Sequence, residues 1–129
     1  KNKASEKQII SVIDQYLAAI VNSEDITSHE PDFNKIIKKI NSIPKYGWHY
    51  HQLGWYYLRT NNLPLAKSSF ENALAKYREE GRNRDSADTY WALAMMSLAE
   101  GYIPKAIAYT VEAQSRNPRE GLKKTSRIW

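Results

Sequence analysis

The chain has 129 residues, 42% of them hydrophobic and 26% charged, with five glycines, five prolines and no cysteine. That is one domain's worth of sequence with enough apolar side chains to build a core, and disulfides, thiolate metal sites and thiol nucleophiles are excluded. Nineteen Lys and Arg against fourteen Asp and Glu give a net charge of +5 and a pI near 9.4, which permits an acidic partner without requiring one.

The longest charge-free apolar run, Thr89 to Ala99, is about half of the ~20 residues a membrane-spanning helix needs. That leaves the compartment open, with a cytoplasmic setting the favoured expectation. The first residue is Lys1 rather than Met, which reads as a processed or excised piece and leaves room for a leader or anchor before it. Four Trp and nine Tyr against two Phe favour rings with a buried body and a polar tip.

Apolar residues recur at three- and four-residue steps between sparse Gly and Pro, so the chain reads as all-α. A first helix starts near Ser5, where Ser5 and Gln8 have capping-box spacing, presents Ile9, Ile13, Tyr16, Leu17, Ile20 and Val21, and stops around Asn22. After the polar stretch 23–30, Pro31 opens a second helix carrying Phe33, Ile36, Ile37 and Ile40, and Pro44 and Gly47 close it.

From Gly47 the sequence repeats. An offset of 40 residues aligns Tyr50 with Tyr90, Leu53 with Leu93, Leu58 with Leu98, Pro64 with Pro104, Ala66 with Ala106 and Ala73 with Ala113. The first unit places Tyr50, Leu53, Gly54 and Tyr57 on one helix and Ala66, Phe70 and Ala73 on the next; the second has Tyr90, Leu93, Ala94, Gly101, Ala106, Ala113 and Pro118 in register, with Ser97 and Thr110 at two aromatic positions. Small residues at Gly54, Ala94, Ala66 and Ala106 let paired helices cross closely. Pro64 and Pro104 belong to first turns, and the Asn61-Asn62 and Glu100-Gly101 pairs supply the turns before them.

This pattern resembles the tetratricopeptide repeat. It implies antiparallel helical hairpins stacked as a short right-handed solenoid: an N-terminal helical pair over 1–46 as a degenerate repeat or cap, two repeats within 47–118 (47–80 and 87–118), and a capping or truncated helix over 119–129. The usual period is about 34 residues, and the six added here fall in the polar stretch from Arg78 to Ser86. On the family's register, the concave face carries Trp48, His51, Trp55, Leu58 and Arg59, then Asp88, Trp91, Met95, Leu98 and Ala99. The partner-binding candidates are Trp48, His51, Trp55, Arg59, Trp91 and Met95, suited to an extended peptide or helix. Relatives that clamp acidic chaperone tails use Lys and Asn where this chain has His51 and Trp55, so that ligand is not carried over.

No phosphate loop, nucleophile elbow or carboxylate pair in an apolar run is visible, which points away from an enzyme, from a cofactor and from a catalytic residue. His49 and His51 sit two apart, about 200° around a helix, so no metal site is expected from them. Arg116, Arg119, Lys123, Lys124 and Arg127 form a basic C-terminal patch, and Arg78, Arg82 and Arg84 a second cluster. Nucleic acid is a subordinate partner for them, since both lack the interleaved aromatics of single-strand binders. The expected function is a non-catalytic scaffold that holds a protein or peptide partner during complex assembly. The alternative is the ligand- or peptide-sensing part of a larger regulator. A short stack with open ends also invites self-association.

Overall fold

A computed structural model describes residues 3–42 and 45–117. Among these it is all-α: α1 (Lys3–Val21), a 3-10 turn (Ile26–His29), α2 (Glu30–Ile40), α3 (Gly47–Arg59), α4 (Leu63–Glu80), α5 (Ser86–Ala99) and α6 (Ile103–Arg116). The chain divides into two compact units, Lys1–Ser69 and Phe70–Trp129, and α4 runs through the division.

In the first unit α1 packs on α2 and α3. Ile13, Leu17, Ile20 and Val21 of α1 meet Ile26, Phe33, Ile36, Ile40, Leu53 and Tyr56 in one core. Each such side chain contributes roughly 1.5–3 kcal/mol when fully buried. Ile9 and Tyr16, expected on the same stripe, stay exposed; Tyr16 lies about 70° around the helix from the mean direction of Ile13, Leu17 and Ile20. The helix also begins at Lys3, two residues before Ser5. Pro31 lies in the first turn of α2, as its missing N–H allows.

Three helix ends share one construction. Asn61, Gly81 and Gly101 have φ of +63°, +69° and +85°. The next residue in each case donates its N–H five residues back, Asn62 to Tyr57, Arg82 to Tyr77 and Tyr102 to Ser97. This is the double-bonded left-handed C-cap that satisfies the last carbonyls of a helix. Asn61 and Gly101 are the pair related by the 40-residue offset, so the repeated sequence makes a repeated turn. The Asn62 side chain then caps α4 by accepting the Leu65 N–H at 3.4 Å. The added residues are shared between α4, 18 residues against 14 in α6, and the loop 81–85.

A Cβ built on Gly101 meets nothing within 4 Å, so Gly101→Ala isolates the cost of left-handed backbone. The expected loss is about 1–2 kcal/mol, read as a lower denaturation midpoint with unchanged slope. An unchanged midpoint refutes the cap.

In the second unit α5 packs along α6. Tyr90, near the start of α5, meets Tyr109 with ring centroids 6.2 Å apart, and the Arg116 guanidinium at the end of α6 lies 4.6 Å from the Tyr90 ring centroid. The start of one helix therefore faces the end of the other, and the two run antiparallel. Small residues line their buried sides: Ala87, Ala92, Ala94, Ala106 and Ala113.

Candidate functional site

The residues expected to bind a partner are placed differently in the two units. On α3, Trp48 and Trp55 are half-buried and pack against the first unit's core, while His51 is buried. The Trp55 indole donates to His51 Nε2 at 3.0 Å, one helical turn away, so that nitrogen carries no proton. Arg59 donates a guanidinium hydrogen bond to the Val21 carbonyl. That oxygen is one of the unpaired carbonyls at the end of α1, where a cation is favoured. The one cation of the expected groove thus closes a helix end.

On α5, Trp91 is buried at 7% exposure, Met95 is half-buried and Leu98 is exposed. The Trp91 Nε1 finds no hydrogen-bond partner among the described residues. Of the basic patch, Arg116 is paired with Glu112 and covers Tyr90. Arg119, Lys123, Lys124 and Arg127 lie outside the described residues, as do Pro118 and the expected helix over 119–129. In the second basic cluster, Arg82 pairs with Asp85 at 3.4 Å on the surface.

His49 links two segments of the first unit. His49 Nδ1 accepts the Tyr46 N–H at 3.0 Å, and its Nε2 lies 2.6 Å from Asp14 Oδ1. His49 and His51 therefore engage different partners, in keeping with their angular separation.

Two features escaped the sequence. The first is an apolar stripe on α6: Ile103, Ile107 and Val111 are 48%, 59% and 57% exposed. Their i, i+4, i+8 spacing sets them along one flank, about a third of a turn from buried Ala106 and Ala113. The signal was present, because α6 carries more aliphatic positions than one buried face requires.

The second is a cleft of about 380 Å³ in the first unit, where the start of α2 meets the end of α3. Phe33 stacks on Tyr56 with centroids 3.4 Å apart and planes 4° from parallel, and Tyr57 stands edge-on to Phe33 at 5.8 Å. Glu30, Asn34, Thr60 and Asn62 supply the polar lining. Burial raises the Tyr56 hydroxyl pKa above its usual value, and the Glu30 carboxylate adds to the rise; burial raises that of Tyr57 too. Both hydroxyls are neutral at pH 7.

No helix among the described residues is long and apolar enough to cross a membrane. Compared with models of known protein families, with curated proteins and with solved structures, the chain has no match.

Proposed function

We propose that this chain is a tetratricopeptide-like interaction module, its helices paired as hairpins in a short right-handed stack, that holds an apolar peptide or helix of a partner protein without catalysing a reaction. The observation that carries the reading is the α6 stripe, three aliphatic side chains at four-residue spacing, each about half exposed. Contiguous apolar surface of that kind marks interaction sites on otherwise polar domains. The repeated C-cap turns at Asn61 and Gly101 and the buried alanines of α5 and α6 support the repeat assignment. The half-exposed edges of Trp48, Trp55 and Met95 are the further contact positions that the resemblance assigns.

Peptides selected from a displayed library against the folded chain test this. Ile107→Asp combined with Val111→Asp is expected to weaken them at least tenfold, since one buried aliphatic side chain is worth about 1.5–3 kcal/mol, with circular dichroism unchanged. Failure to select any peptide, or affinities indifferent both to these changes and to Trp55→Ala, overturns the reading. A chain that elutes as a dimer and becomes monomeric with the α6 substitutions assigns the stripe to self-association instead.

A further inference from the structure

The cleft between α2 and α3 has a chemistry of its own, and it goes beyond the interaction reading. Its lining residues, which include Phe33, Tyr56, Tyr57 and Glu30, contain one carboxylate and no cationic side chain. Glu30 forms no ion pair among the described residues. The Tyr56 and Tyr57 hydroxyls likewise have no hydrogen-bond partner among the described residues. Thr60 directs its hydroxyl hydrogen to the Tyr56 carbonyl at 2.9 Å, which leaves its oxygen lone pairs for a visitor. The site therefore combines a carboxylate with no ion-pair partner among the described residues, hydroxyl oxygens able to accept, and the half-buried Tyr57 ring beside the mutually stacked Phe33 and Tyr56, a π surface that favours positive charge.

We infer that this cleft binds a small organic monocation, an ammonium or guanidinium group on a short apolar stem, with Glu30 as its counter-ion and Phe33, Tyr56 and Tyr57 as its walls. The geometry suits that class for three reasons. The volume falls within the range of small-molecule sites. A short apolar stem has the half-buried Tyr57 ring to pack on while its cationic head meets the exposed Glu30 carboxylate. An anion would meet Glu30 with no donor cation to offset it, and a neutral isostere would forgo both the Coulomb and the cation–π attraction.

The same chemistry arises from a free amine or from the arginine or lysine side chain of a peptide, and the experiment separates the two sources. Ethylguanidinium, butylammonium, neutral ethylurea and butyrate are titrated into the full chain, followed by tyrosine ring NMR shifts. Both cations are expected to bind saturably, at least tenfold more tightly than ethylurea, with butyrate not binding. Glu30→Gln is expected to weaken the cations at least fivefold while leaving the circular dichroism spectrum unchanged, because Glu30 is exposed and not part of the core. Tyr57→Leu, which keeps an apolar wall and removes the π face, is expected to weaken them several-fold.

An arginine-containing hexapeptide that binds at least tenfold more tightly than ethylguanidinium identifies a protein side chain as the source; equal affinity identifies a free amine. Ethylurea binding as well as ethylguanidinium, or Glu30→Gln leaving cation affinity unchanged, overturns the inference. Neither result touches the α6 stripe, whose test uses different substitutions and a different ligand.

Discussion

Replacing Trp91 by alanine is expected to cost about 3–5 kcal/mol of stability, a large part of the roughly 5–15 kcal/mol that holds a domain of ordinary size together. The reason is its burial: Trp91 is 7% exposed and is followed in sequence by buried Ala92, Leu93 and Ala94. Truncation removes the transfer free energy of an indole and leaves a void that close-packed neighbours fill only in part. Trp91→Phe is the discriminating companion. Because the indole N–H has no hydrogen-bond partner among the described residues, phenylalanine forfeits no such bond, and the expected cost falls to about 1.5 kcal/mol or less. Urea denaturation followed by circular dichroism reads both. Were Trp91→Ala to leave the midpoint unchanged, the indole would face solvent, as the concave-face register implies, and its place in the interior would be refuted.

The distinction matters because the two roles of a tryptophan look alike in sequence. Trp91 and Met95 share a helical face, as do Trp48, His51 and Trp55, and spacing alone does not say what lies opposite. Local chemistry was more legible. Pro31, Pro64 and Pro104 occupy first turns, and Asn61 and Gly101 take the left-handed conformation that only Gly and a few polar residues adopt readily. Those features depend on a residue and its near neighbours, so a sequence displays them. The cleft depends on Phe33 lying across Tyr56, two residues on different helices, and no periodicity records that meeting. Arg59 is a similar case: its position on α3 was readable, whereas its engagement with the end of α1 required the tertiary structure.

The second large effect concerns His49, whose side chain is 1% exposed and which bridges segments 35 residues apart. Tyr46 N–H donates to Nδ1, so Nδ1 carries a lone pair, and the proton on Nε2 is donated to the Asp14 carboxylate. One ring thereby satisfies a free N–H at the start of α3 and ties that helix to α1. His49→Ala removes both bonds and opens a cavity, with an expected loss of about 3 kcal/mol. Asp14→Ala leaves the ring in place but strands a buried N–H, for about 1–3 kcal/mol. Asp14→Asn keeps an acceptor oxygen for Nε2 and is expected to cost least, about 1 kcal/mol or less, because only the charge-assisted part of the bond is lost. The order His49→Ala, Asp14→Ala, Asp14→Asn is thus a signature of this geometry, measured as denaturation midpoints at pH 7. Imidazole ¹⁵N shifts supply an independent check, since the arrangement requires the Nε2–H tautomer. An Nδ1–H tautomer, or a loss below about 0.5 kcal/mol for His49→Ala, would contradict the bridge between α1 and α3.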